Sequence, residues 1–447
     1  MSSDWEPTTL GSVCDRQGGS IQTGPFGSQL HASDYVEQGI PVVMPANIGS
    51  DGGISEDGIA RITQFDADRL QQHKLQVGDV VFSRRGDVTR NALIEAHQAG
   101  WLCGTGCLKV RLGSQTQASA KFISYCLRLP ETKDWLVRHA VGATMPNLNT
   151  SILSAVPILL PELTVQQSIA NILGCLDEQI DLLRETNATL EAIAQALFKS
   201  WFVDFEPVHA RARGEQPAGL APEVAALFPD SLEESELGQV PMGWSTGSLN
   251  DLALLNPESW TVKNRPDSVA YVDLANAKEN VIAEITEFLF EDAPSRARRV
   301  LRDGDTIVGT VRPGNRSYAL ISNPRPNLTG STGFAVLRPK QKAATEYVYL
   351  AATANSSIEY LAHVADGGAY PAVRPEVVSN LPCVLPSYDV LNAFHAVAAP
   401  LFAKVAANHQ QAQTLATLRD TLLPRLISGQ LRLPDAEEQL SEAGLCQ

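Results

Sequence analysis

Two short runs bring arginines to what read as the ends of β-strands. GDVVFSRRG closes on Arg84 and Arg85, with Arg90 four residues beyond Gly86; GDTIVGTVRPGNR closes on Arg312, Asn315 and Arg316. A guanidinium fork reads guanine edges or grips phosphate, and a carboxamide reads adenine, so arginine and asparagine on loops that enter a groove suit base and phosphate recognition. Arg296, Arg298 and Arg299 form a third cluster. The competing reading for all of these is surface or structural salt bridges. IQTGPFGSQL (Ile21–Leu30) offers a different chemistry. Gly24, Phe26, Gly27 and Ser28 either present bare backbone N–H groups to a phosphate or form a tight turn, in which Pro25 presets φ and Gly27 supplies freedom. Met145 in GATMPNLN and Tyr370 in GGAYPAVR each precede a proline, and are either contact residues for nucleic acid or a partner, or parts of plain turns.

Catalytic patterns are missing. The sequence has no GxxxxGK[ST], no HExxH, no GxSxG, no GxGxxG after a strand and no Asn-Pro-Pro-aromatic tetrapeptide. The eight histidines are isolated and the carboxylates form no metal-like constellation. Seven cysteines without a CxxC pair read as reduced thiols. These absences weigh against catalysis by this chain alone and against a bound metal.

The net charge of −15 at first argues against nucleic acid, but it is uneven. Residues 204–236 hold eight Asp/Glu and two Arg; residues 295–342 hold ten Lys/Arg and two Asp/Glu, a candidate polyanion surface or a solvated face. The 447 residues allow roughly two to four domains. No run of about 18 apolar residues appears, and MSSDWEPTTL lacks the basic and apolar parts of a secretory signal. A cytoplasmic protein without membrane partners is expected.

The positioning elements occur twice. Gly78-Asp79 matches Gly304-Asp305 at a shift of 226, GTGCLKVRL matches GSTGFAVLRP, and Pro146, Pro157 and Pro161 recur as Pro371, Pro382 and Pro386 at a shift of 225. PANI has a weak echo in LANA. Each copy starts with short strand-like runs and ends in a long helical pattern, which predicts an α+β protein with an internal repeat.

In the first helix the apolar stripe runs through Ile169, Leu173, Leu176, Ile180, Leu183, Asn187, Leu190, Ala194, Leu197 and Trp201. Thr164 and Gln167 read as a capping box at its start. The second stripe runs through Phe394, Ala398, Leu401, Val405, Asn408, Ala412, Leu415, Arg419 and Leu422, with Pro400 expected to kink it and Ser428-Gly429 to end it. About 40 residues span roughly 60 Å. A polar residue at a seam fixes register. Matching the stripes antiparallel about a pseudo-two-fold axis near residue 185 sets Asn187 against Asn408. The alternative is that each helix packs on its own domain. Two similar units on such a helical ruler match duplex DNA, whose repeat is about 34 Å.

The chain resembles the specificity subunit of a type I restriction-modification system. The resemblance is carried by TGPFGSQLHASDY with GIPVVMPANI, by GDVVFSRRG, MPNLN, PELTVQQSIANILGCLDEQI, ALFKSWFVDFEPV, LAPEVAALFPDSLEESELGQVPMGW and LRDTLLPRLISGQLRL, and it covers nearly the whole chain. It implies two target-recognition domains (1–160 and 244–386), two spacer helices forming a coiled coil (161–205 and 387–430), an acidic connection (206–243) and a C-terminal tail (431–447). It further implies that each recognition domain reads one half of a bipartite, asymmetric site on double-stranded DNA. The helices would set the unread spacer and dock two modification subunits, which bring S-adenosylmethionine and adenine N6-methylation. Restriction subunits would add ATP and Mg, and this chain would bind no cofactor. Partner docking would use helix surfaces such as Gln166, Gln167, Arg184 and Glu185. Two competing readings stand beside this one: a stand-alone methyltransferase, opposed by the missing cofactor motif, and a coiled-coil scaffold with no DNA role, which leaves the β-rich units without a purpose.

Overall fold

In the computed structural model, residues 5–49, 51–142, 145–261, 263–368 and 370–442 are described. The chain divides into two compact units, Met1–Ile180 with Gln413–Gln447, and Asp181–Ala412, so that each unit holds part of both long helices.

The first unit contains a four-stranded sheet in the order Ser20–Thr23, Cys107–Arg111, Val80–Ser83, Asn91–Leu93. Val80, Val81 and Phe82 are buried, as expected of a strand covered on both faces. A second sheet joins Tyr35–Val36, Ala60–Ile62, Ile40–Val43 and Leu102–Cys103, and its last pair is parallel. The second unit repeats this plan. Ala253–Leu255, Phe334–Pro339, Thr306–Gly309 and Tyr318–Leu320 form one sheet; Thr286–Leu289, Ser268–Val272, Leu328–Ser331 and Ala297–Val300 form the other, again with one parallel pair. PANI and LANA fold alike: Pro45–Asn47 and Leu274–Asn276 are both single 3-10 turns.

The repeated Gly-Asp dipeptide is an architectural device. Gly78 and Gly304 sit at φ +86° and +80°, where a side chain is strained. The aspartates that follow are buried. Asp79 accepts from Arg111 Nε at 2.7 Å and Nη2 at 2.6 Å, and from the Gln76 N–H at 2.8 Å. Asp305 accepts from Arg338 Nε at 2.8 Å and Nη2 at 2.9 Å, and from the Arg302 N–H at 2.7 Å. Each carboxylate thereby ties a turn to the neighbouring strand. Burial pushes the Asp305 carboxyl above its usual range, although Arg338 pulls it down.

The long helices run Leu163–Phe202 and Tyr388–Ile427. Within the second unit they are antiparallel. Asn408 Nδ2 donates to Asn187 Oδ1 at 2.8 Å, Asn187 Nδ2 donates to the Val405 carbonyl at 3.2 Å, and Phe394 packs on Phe198, Trp201 and Phe202. Asn187 and Asn408 are buried at the seam, with Val405; Leu183, Leu190 and Leu401 are half-buried there. In the first unit Leu176, Ile180 and Leu415 are buried, and Asp177 accepts from Tyr125 Oη at 2.7 Å and from Arg419 Nη1 at 2.7 Å.

Several expectations are corrected. The first helix begins at Leu163, so Thr164 lies inside its first turn and is not its cap. The second helix is continuous across Pro400, which is compatible with the expected kink there. Pro400 is exposed and lies in the fourth turn. Gly429, at φ +71°, follows the end of that helix. An 18-residue stretch of it has a mean hydropathy of 1.5, more apolar than the sequence reading allowed. That character comes from the face packed in the second unit's core (Val390, Leu391, Phe394, Ala398, Phe402) and from alanines beside it. Residues 206–243 are folded rather than a bare connection: Glu206–Ala212 is a helix, Leu232–Ser235 pairs with Gly238–Pro241, and Val208, Phe228 and Val240 join the core around Trp201, Phe202 and Trp244. Cys14, Cys103, Cys107, Cys126 and Cys383 are free and buried, and burial pushes the Cys14, Cys103 and Cys383 thiols up to about 12. Cys175 is instead disulfide-bonded.

Candidate nucleic-acid interface

The strand-end arginine loops are each braced by a short hairpin, and the brace is the same in both units. In the first, Val141 and Asn147 exchange backbone hydrogen bonds of 3.0 and 2.9 Å, Asn147 pairs with Arg85, and the Leu148 N–H donates to the Arg84 carbonyl at 2.9 Å. In the second, Asp366 and Ala372 exchange bonds of 3.1 and 2.7 Å, Ala372 pairs with Val311, and the Arg312 N–H donates to the Pro371 carbonyl at 2.7 Å. Gly142 and Gly367 turn the two hairpins at φ +112° and +123°. A Cβ on either would lie 2.6 Å or 2.8 Å from the carbonyl oxygen of Met145 or Tyr370. Ala143, Thr144 and Ala369 of the quoted loops lie outside the described residues. The turn position after the strand is left-handed in both copies: Gly86 at φ +79° and, at the matching position, Arg312 at +49°. A non-glycine residue there is held by its surroundings at a cost of about 1–3 kcal/mol.

The predicted arginines have different fates. Arg85 is exposed at its loop, and Arg84 is half-buried with its Nε enclosed. Arg312 is exposed, its guanidinium 4.7 Å from the Tyr370 ring centroid, and Asn315 is exposed beside it. Arg312, Pro313, Gly314, Asn315, Ala362 and Pro371 line one shallow cavity. Arg90 is tied to Asp87 at 3.0 Å, and Arg316 to Asn355 at 2.9 Å with Glu279 nearby. Arg296, Arg298 and Arg299 belong to the strand region of the other sheet. Arg296 donates to Tyr271 Oη at 3.1 Å, Arg298 stacks on Phe290, and Arg299 is half-buried against Ser259. Burial pulls the Arg299 guanidinium below its usual range.

Half of the ten cations in the basic stretch 295–342 reach carboxylates outside it: Arg302 and Arg338 share Glu258, Arg325 pairs with Glu287, Arg316 with Glu279 and Arg296 with Asp273. Arg302 and Arg338 hold the Glu258 carboxyl below the usual carboxylate range. Linear charge counting missed this because the partners lie up to 80 residues away.

The Gly-Pro-Phe-Gly loop divides in two. Gly24 is required by packing, since a Cβ there would meet the Gly104 oxygen at 1.9 Å. Gly27 is not required: its φ is not positive and a Cβ would meet nothing within 4 Å. The turn is instead closed by Gln29, whose Oε1 accepts from the Phe26 N–H at 3.1 Å while its own N–H donates to the Phe26 carbonyl at 2.8 Å. Phe26, 58% exposed, Gly27 and Ser28 face outward.

Gln166 is fully buried and is no docking residue: its amide accepts from the Ser119 N–H and donates to the Gln117 and Pro161 carbonyls. Gln167, Arg184 and Glu185 are exposed. The sequence also gave no sign of a link between the first helix and the second β-rich unit. Glu279 and Asn280 turn a tight hairpin at φ +44° and +67°, and Asn280 Nδ2 donates to Glu191 Oε1 at 2.9 Å. Burial pushes the Glu191 carboxyl up.

The family described as "Type I restriction modification DNA specificity domain" matches residues 2–192. The chain is 26% identical over 359 residues to the HindI specificity subunit of Haemophilus influenzae, covering 70% of this chain and 77% of that one. It is 25% identical over 324 residues to the MjaIX specificity subunit of Methanocaldococcus jannaschii, covering 71% and 70%. The chain is thus similar to type I specificity subunits, and the family match lies on residues 2–192. Its fold is similar to that of the solved S subunit from M. genitalium, with a TM-score of 0.54 at 14% identity over 95% of this chain and 96% of that chain. No group of His, Cys, Asp and Glu among the described residues could hold a metal ion.

Proposed function

We propose that this chain is a specificity subunit, supplying DNA sequence recognition and no chemistry to a type I restriction-modification complex. Each recognition domain reads one half of a bipartite, asymmetric site. The antiparallel helices set the unread spacer and dock two modification subunits, which bring S-adenosylmethionine and methylate adenine at N6; restriction subunits, with ATP and Mg, complete the nuclease. The complex works in the cytoplasm. One observation carries this reading: the same hairpin-braced strand-end loop occurs once in each compact unit, with Arg84 and Arg85 on one and Arg312 and Asn315 on the other. Two similar loops with different side chains are what two different half-sites require.

The overall charge of −15 is compatible with this division of labour, because much of the phosphate neutralisation falls to the modification subunits. Salt-titrated binding by the chain assembled with those subunits tests the reading. Arg85→Ala or Arg312→Ala either weakens all sequences alike and lowers the salt slope by about 1, as a phosphate contact does, or costs about 1–3 kcal/mol and relaxes one position of one half-site. Unchanged affinity, slope and specificity in both variants contradict it.

A further inference from the structure

The duplicated hairpins carry one more shared feature that charge does not explain. The residue before the proline is large and apolar in both, and solvent-exposed in both: Met145 is 60% exposed and Tyr370 71%. An exposed apolar side chain by itself is ordinary. Here the position recurs at a shift of 225 in two copies that have otherwise diverged, and the flanking backbone is paired in the same way each time. The hairpin is closed by a pair of backbone bonds, carries a glycine at positive φ whose missing Cβ makes room for the carbonyl of the exposed residue, and is pinned to the arginine loop. An exposed side chain whose flanking backbone is already hydrogen-bonded has less left to order on entering a partner.

The neighbours say which partner. Arg85, on the loop after the strand, is bridged to Asn147 of the first hairpin, and the Arg312 guanidinium covers the Tyr370 ring at 4.7 Å. An apolar tip beside arginine fits a polyanion that also offers flat apolar faces, and stacked bases along a phosphate backbone provide both.

We infer that Met145 and Tyr370 are wedges: each enters a base step of its own half-site, unstacks it and bends the duplex, while the adjacent arginine holds the phosphates. The inference rests on the half-site reading proposed above and deepens it. It adds a shape-dependent component to recognition, because pyrimidine–purine steps unstack most easily.

The test uses the chain assembled with its modification subunits and a duplex bearing the site that the complex methylates, with 2-aminopurine placed at one position at a time. This base brightens when unstacked. The wild type brightens at one step per half-site in addition to the target adenines. Met145→Ala removes the signal in one half-site only, and Tyr370→Ala in the other only, each with about tenfold weaker binding. Met145→Leu and Tyr370→Phe restore signal and affinity, which separates wedge loss from misfolding. Tight, site-specific binding with no brightening beyond the target adenines overturns the wedge and leaves the half-site reading intact. Loss of the modification subunits from either alanine variant, seen by size-exclusion chromatography, overturns it in favour of protein docking. No specific binding by the assembled wild type overturns both readings.

Discussion

Asp305 shows how a single buried carboxylate organises a recognition domain. It is 0% exposed, and Arg338 supplies the charge that makes burial tolerable. Removing one partner of such a pair leaves an uncompensated buried charge and costs about 3–5 kcal/mol. Arg338→Ala is therefore expected to destabilise the second domain by about that amount in urea unfolding, whereas Asp305→Asn combined with Arg338→Met recovers most of it; equal losses in the single and double variants would contradict the pairing. Gly78-Asp79 and Gly304-Asp305 were legible in the sequence as a repeat, but not their purpose. Arg111 and Arg338 lie 32 and 33 residues from the aspartates they hold, and nothing local predicts the pairing. The same distance hid the carboxylates paired with half of the cations in the basic stretch. By contrast, Arg85, Arg312 and Asn315 were legible as exposed loop residues, because each follows a strand end among turn-forming residues, whereas Arg84, one residue nearer the strand, is half-buried.

At the scale of elements, the two long helices were the most legible part of the fold. A 3.5-residue stripe sustained over 40 residues admits few alternatives, and the single asparagine in each stripe sets the register. Asn187 and Asn408 meet across the apolar seam, where Asn408 Nδ2 donates to Asn187 Oδ1 and so covers part of the cost of burying two carboxamides. Replacing Asn408 alone with Leu leaves Asn187 Oδ1 without its donor and is expected to lower stability by about 1–3 kcal/mol. Leu at both positions removes the polar pair and is expected to raise thermal stability above that of the wild type, measured as a double-mutant cycle; additive losses would contradict the pairing. The helix ends were less legible, because capping depends on one or two hydrogen bonds. The folded segment 206–243 was missed because its acidic residues face outward and mask the few apolar ones, Val208, Phe228 and Val240, that reach the core.

For the whole molecule, duplication is the central fact. The two sheets, the Gly-Asp turn and the braced loop recur in both units, while the side chains at the loops differ. A duplicated scaffold with diverged contact residues is suited to reading two different sequences, and the spacing between them then belongs to the helices. Genome-wide mapping of N6-methyladenine, in a host expressing this chain with its modification subunits, tests that account most directly. It predicts methylation at one motif of two specified blocks separated by a fixed number of unread base pairs, with Arg312→Ala altering one block and leaving the other and the spacing unchanged. A single contiguous motif, or methylation that does not depend on this chain, would contradict it.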